Sequence, residues 1–115
     1  MSPITTHVLD TSRGRPASNL PIALSQAIDG NWKALANGHT NQDGRITDLL
    51  EADTVLPSGS YRMRFDTQTY FDGHQEPSFY PYVEIVFNIN QEDENQHYHI
   101  PLLLSAYGYS TYRGS

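Results

Sequence analysis

No cysteine occurs among the 115 residues, so the chain has no disulfide framework, no thiolate nucleophile and no thiolate-held zinc or iron–sulfur site. Positive charge is scarce. Seven Lys and Arg stand against 13 Asp and Glu, a formal charge of −6 with the five His counted neutral. Binding to nucleic acid rests on concentrated Lys and Arg, and the pairs Arg13/Arg15 and Arg62/Arg64 are too few for it. Long apolar runs are missing as well; the longest are four or five residues, such as Ile100–Leu104, far short of the ~20 residues that cross a bilayer. The first residues, Met1–Asp10, lack the basic start and apolar stretch of a secretory signal, and the ending Arg113-Gly-Ser115 is not a peroxisomal address. These absences imply a soluble cytoplasmic protein without nucleic-acid or membrane partners. Charge runs, repeats and low-complexity tracts are absent too, and the length suits a single domain over 1–115 with one core. Any catalysis must come from His, carboxylate, Arg, Lys or hydroxyl groups.

What the chain does contain is period-2 alternation bounded by turn residues, with hardly any helical apolar stripe. Strands are expected at Ile4–Leu9, Leu20–Ile28, Trp32–Ala36, Arg45–Leu49, Tyr61–Phe65, Val83–Phe87, His97–Leu104 and about Tyr107–Tyr112. The turns fall at Asp10–Pro16, Asp29-Gly30, Asn41-Gln-Asp-Gly44 and Pro57-Ser-Gly59. One short helix is expected within about Thr67–Gln75, stopped by Pro77, and Asn90–Gln96 reads as a solvated acidic loop. The class is all-β, a two-sheet sandwich or small barrel, whose short edge strands invite pairing with a second copy.

Strand parity locates the chemistry. In His97-Tyr-His-Ile-Pro-Leu-Leu-Leu104, residues Tyr98, Ile100, Leu102 and Leu104 form one apolar face, so His97, His99, Pro101 and Leu103 point away from the core. In the first strand Ile4, Thr6 and Val8 share one face and Thr5, His7 and Leu9 the other. His7 and His99 meet only if their strands are neighbours. Surface histidines, a solvated Arg45 and a frayed tail are the plain alternatives. A His97-x-His99 metal pair lacks a third ligand in the pattern. No Gly-x-Ser-x-Gly elbow and no phosphate-cradling glycine loop occurs.

More comes from segments that recur in order along nearly the whole chain: His7-Val-Leu-Asp10, Gly14-Arg-Pro-Ala17, Asp43-Gly-Arg45, Phe79-Tyr-Pro-Tyr-Val83, His97-Tyr-His-Ile-Pro-Leu-Leu-Leu-Ser105 and Tyr109-Ser-Thr-Tyr-Arg-Gly-Ser115. The sequence resembles the 5-hydroxyisourate hydrolases, the transthyretin-like enzymes of urate breakdown. That resemblance implies a transthyretin-like sandwich of two four-stranded sheets with one short helix, assembled as a homotetramer with sites at the dimer–dimer interface. It implies catalytic roles for His7, Arg45 and His99, substrate-binding roles for Tyr112, Arg113, Gly114 and Ser115, and no metal or organic cofactor. Hormone-carrying transthyretins share the fold but lack the His/Arg/His set and run past this ending, so the resemblance favours a hydrolase over a carrier of flat aromatic ligands. A carbohydrate-binding or adhesion sandwich has no positive sign in the sequence. One departure is Ser105-Ala106, where the family usually has Ser-Pro, which puts the rigidity of that turn in question. His97, on the face of His99 but without an implied role, is the natural control.

Overall fold

In the computed structural model, which describes residues 1–93 and 96–114, the elements run β1 Ile4–Asp10, β2 Arg15–Pro16, β3 Pro21–Ile28, β4 Asn31–His39, β5 Arg45–Ile46, β6 Gly59–Phe65, α1 Thr67–Gly73, β7 Val83–Ile89, β8 Tyr98–Leu104 and β9 Tyr109–Thr111. Glu94 and Asn95 of the expected acidic loop, and the expected site residue Ser115, lie outside the described residues. Two sheets form. One has the order β2-β1-β8-β9 with β5 also on β1, the other the order β4-β3-β6-β7. Because β8 pairs with β1 along its whole length, β2 and β5 share the opposite edge of β1, two residues each, at Leu9–Asp10 and at Thr6–His7. The first sheet therefore has four strand positions, one of them broken in two.

The strands form where the expected alternation can bury a face. Tyr61, Met63 and Phe65 of β6 are wholly buried, as are Leu24 of β3 and Leu102 of β8. Burial of one such side chain is worth roughly 1.5–3 kcal/mol. With Tyr98, Ile100, Leu102 and Leu104 all buried, turning β8 over would forfeit four of these terms, which fixes the histidines outward. The helix is tied to the sheet end by the Tyr70 hydroxyl, which donates to the fully buried Asp10 at 2.7 Å. It stops at Gly73, and Gln75 takes a left-handed backbone conformation with φ +57°.

Three differences from the sequence expectation have local causes. The strand expected at Trp32–Ala36 extends to Asn31–His39, because a bulge at Leu35 puts Ser25 opposite Ala34 while Leu24 faces Ala36. One extra residue reverses the alternation, and the pattern fades. The strand expected at Arg45–Leu49 is only Arg45–Ile46; the Thr47 carbonyl turns to accept from the Ser2 N–H at 2.9 Å, and Leu49 drops into the core. The strand at Arg15–Pro16 was hidden by the turn composition around it.

The outer face of the second sheet is occupied by its own residues. The Arg62 guanidinium lies 4.5 Å from the Trp32 ring centre and that of Arg64 3.9 Å from the Tyr82 ring centre, with Glu84 3.3 Å from Arg62. Such cation–π contacts are worth ~0.5–1 kcal/mol when exposed. Both arginines are engaged within the fold.

Candidate functional site

The site is built where the start and the end of the chain lie side by side. Strands β1 and β8 pair in parallel with Thr5 opposite His99 and His7 opposite Pro101, while β5 sets Arg45 opposite His7. Side chains opposite one another share a face. One outward face therefore carries Thr5, His7, His99 and Arg45, the arrangement that parity left conditional on strand adjacency.

Arg45 is delivered by a tight turn. The Asn41 side-chain oxygen accepts from the N–H groups of Asp43 at 2.9 Å and Arg45 at 3.0 Å, and the Gly44 N–H donates to the Asn41 carbonyl at 3.0 Å. Gly44 has φ +73°, and a Cβ there would lie 2.4 Å from the Val8 carbonyl oxygen. Only glycine lets this turn lie flat against β1. Asn41 and Gly44 thus hold Arg45 in register beside His7.

His99 is fixed along two edges of its ring. Its Nδ1 is hydrogen-bonded to the Thr5 hydroxyl at 2.8 Å, and the same hydroxyl is 2.9 Å from Nε2 of His97. Thr5 is only 3% exposed, and the two imidazoles are near-parallel with centres 6.3 Å apart. On the other edge stands the backbone of Gly114, whose N–H donates to the His99 carbonyl at 2.9 Å. A Cβ at position 114 would come within 2.5 Å of the ring's Cδ2. The only ring nitrogen left for a substrate is Nε2.

The tail reaches this point because β9 is in register with β8. Thr111 faces Leu102, and the next bridge is Gly114 with His99. Between them the ladder lapses at Pro101, which has no N–H to offer. Continued past its last pair, this register brings Tyr112 level with Pro101; the residue is 61% exposed and lines a separate hollow of about 330 Å³ with Ile85, Phe87, Tyr98, Ile100 and Arg113. Arg113 faces the other way; its guanidinium lies 4.7 Å from the Tyr98 ring centre and pairs with Asp93 at 3.2 Å. Of the described tail residues, Gly114 lies against the His99 ring, and the Arg113 side chain turns the other way. The turn before β9 is closed without proline, because the Gly108 carbonyl accepts both the backbone N–H and the hydroxyl of Ser105, and the Ala106 carbonyl accepts from the Phe79 N–H at 2.8 Å.

Electrostatics disfavour charge on both imidazoles. Burial holds the His99 imidazole below its ordinary pKa, and the charge of Arg45, then His97 and His7, lower it further. His7 is lowered by burial and then by Arg45, against a hydrogen bond to the Asp43 backbone and the Asp43 carboxylate, which raise it. Both rings are thus neutral near pH 7, the state that accepts a proton. A hollow of about 170 Å³ here is lined by Met1, Thr5, Thr6, Arg45, Thr47, His97 and His99. A larger one of about 680 Å³ at the end of the sandwich shares only Met1 and His97 with it. The smaller is the candidate site, because it brings the lowered imidazole of His99 together with the fixed cation of Arg45; His7 lies beside Arg45 without lining it. Among the described residues no group of three or more His, Asp or Glu side chains is placed to hold a metal.

Sequence reasoning missed Thr5. Parity had put it on the face of His7, but a threonine in a strand is too common to stand out.

Comparison with known proteins places these features. The model of the HIUase/Transthyretin family matches residues 4–114. A 5-hydroxyisourate hydrolase of Mus musculus is 48% identical, over 99% of this chain and 96% of its own length. The structure of Klebsiella pneumoniae 5-hydroxyisourate hydrolase superposes with a TM-score of 0.82 at 37% identity, covering 97% of this chain and 98% of that one. Sea bream transthyretin in complex with thyroxine gives a TM-score of 0.90 at 34% identity, covering 97% and 94%. The backbone thus follows a hormone carrier at least as closely as a hydrolase. Backbone likeness does not choose between them. Fold and site together define a transthyretin-fold sandwich that carries His7, His99 and Arg45 on the outer face of one sheet. The chain belongs to the HIUase/Transthyretin family.

Proposed function

We propose that this protein is a 5-hydroxyisourate hydrolase, a cyclic amide hydrolase of urate catabolism whose hydrolase domain spans 1–115. It opens the six-membered ring of 5-hydroxyisourate to give 2-oxo-4-hydroxy-4-carboxy-5-ureidoimidazoline. The observation that carries this reading is the placing of two neutral imidazoles, His7 and His99, beside the permanent charge of Arg45 on one sheet face.

Water is a poor nucleophile at neutral pH, so attack on the ring's acyl carbon needs a positioned base. His7 and His99 between them take the water proton and deliver one to the departing nitrogen. Arg45 holds the substrate's oxygens and offsets the charge that develops on the attacked carbonyl. Tyr112, with the backbone of Gly114 and the terminal Ser115, positions the ring. The scheme calls for no metal or organic cofactor.

Homotetrameric assembly, with sites at the dimer–dimer interface, belongs to the same reading. Arg45 is exposed and Tyr112 is 61% exposed in the single chain, so a second copy laid over this face would roof the site. The cytoplasm is the compartment we assign, since a cysteine-free chain draws nothing from an oxidising one.

The test is to generate 5-hydroxyisourate from urate with a urate oxidase and follow its ultraviolet decay with and without the protein. Acceleration over spontaneous decay is expected. No acceleration, together with tight binding of a flat aromatic ligand, would replace this reading with a transthyretin-type carrier. The pH dependence is also specified. Since burial and Arg45 hold both imidazoles below the ordinary value of 6.5, kcat/KM should stay level from pH 8 down to that value. It should fall only on further acidification, as the base becomes protonated. A profile flat down to pH 5 would exclude a histidine base.

A further inference from the structure

One hydroxyl stands between two imidazoles. Thr5 Oγ1 is 2.8 Å from His99 Nδ1 and 2.9 Å from His97 Nε2. A threonine hydroxyl carries a single proton, so it donates to one ring and must accept from the other. The two tautomers are thereby locked together. If Thr5 donates to His97, then His99 carries its proton on Nδ1 and presents a bare Nε2 to the hollow. If Thr5 donates to His99, then His97 Nε2 carries a proton and His99 Nε2 is protonated, unable to act as base.

We propose that Thr5 and His97 form a proton relay behind His99. This rests on the hydrolase reading above. In the resting state Nε2 of His99 is bare. As water attacks, its O–H bond breaks and a proton joins Nε2 of His99 while the hydroxide bonds to the acyl carbon. The Nδ1–H bond of His99 breaks in turn and its proton joins Thr5 Oγ1, whose own proton passes to Nε2 of His97. The net result is one proton moved from water to His97, with His99 neutral again in its other tautomer.

The surroundings favour this displacement of charge. The charged and titratable neighbours of His99 are Arg45 of β5, His7 of β1 and His97 just before its own strand, with the Gly114 backbone against its ring edge. Burial and the Arg45 charge both oppose an imidazolium at position 99. His97 lies one hydrogen-bonded group away, across the Thr5 hydroxyl. Thr5 and His97 are positioning residues in this scheme, since they act on the water proton only through His99.

The experiment compares Thr5→Val, Thr5→Ser, His97→Gln and the Thr5→Val/His97→Gln double variant. Valine keeps the shape of threonine without its hydroxyl. Glutamine keeps a nitrogen or oxygen near the position of Nε2 but cannot take up a proton. Thr5→Val and His97→Gln should each lower kcat by roughly 10–100-fold with KM little changed, and Thr5→Ser should restore most of the rate. The double variant should be no slower than the worse single one, because both break one chain. Long-range 1H–15N spectra of the substrate-free protein should show His99 protonated at Nδ1 in the wild type, and a mixture of tautomers in Thr5→Val. A wild-type kcat in His97→Gln, multiplying effects in the double variant, or His99 tautomers unchanged in Thr5→Val would each overturn the relay. The spectra need no substrate, so they separate failure of the relay from failure of the hydrolase reading, which an inactive wild type would reveal.

Discussion

Alanine in place of His7, Arg45 or His99 is expected to cut kcat/KM for 5-hydroxyisourate by about 10²–10⁴-fold in each case, the usual range for losing a general acid–base group or a fixed charge at a developing oxyanion. The sandwich should survive. None of the three is among the buried side chains that form the core, and β1 and β8 keep Ile4, Val8, Ile100 and Leu102 inside. Combined replacements should lose little more than the worst single one, because groups acting in one step are not additive. Ultraviolet decay of the substrate gives the rates, and urea unfolding of each variant gives the stability. A variant that unfolds at the wild-type midpoint and retains full activity would remove its residue from the mechanism. His97, a natural control in that the resemblance gives it no role, is joined to His99 through Thr5 and is not a neutral one. A better control is His39, which lies on β4 in the other sheet.

Deleting Tyr112-Arg-Gly-Ser115 is expected to abolish turnover while the sandwich stays folded. The paired part of β9 ends at Thr111, so its three pairs with β8 remain. What goes is the Gly114 N–H to His99 carbonyl bond and the backbone lying on the imidazole edge. Without them His99 is held by Thr5 alone, and a ring free to swing no longer points Nε2 at the substrate. Gly114→Ala tests the same idea with the tail in place. Its Cβ would fall 2.5 Å from Cδ2 of His99, and either the ring or the tail must move. We expect a loss of at least about tenfold in kcat from alanine and a larger one from valine. Full activity in the truncated protein would show that the tail has no part in the site.

Much of this was legible beforehand because burial imposes period 2 on a strand. Tyr98, Ile100, Leu102 and Leu104 can be read as one face from the sequence, and that reading sends His97 and His99 outward without reference to any partner strand. The charge balance, the lack of cysteine and the Asn41–Gly44 turn before Arg45 are equally local. Motif resemblance then supplied the grouping of His7, Arg45 and His99, which lie 38 and 54 residues apart along the chain.

Tertiary structure decided what depends on register. Parity cannot say that β1 and β8 are parallel neighbours, or that Thr5 rather than His7 faces His99. That choice is made by the whole sheet packing its inner face, since a shift of two residues preserves parity and alters only which outward groups meet. It also places one hydroxyl between two imidazoles and the tail glycine against a ring. Contacts between residues more than 90 positions apart, such as Thr5 with His97 and His99, leave no local period in the sequence, because the energy that aligns them is spent on the buried face and not on the residues that carry the chemistry.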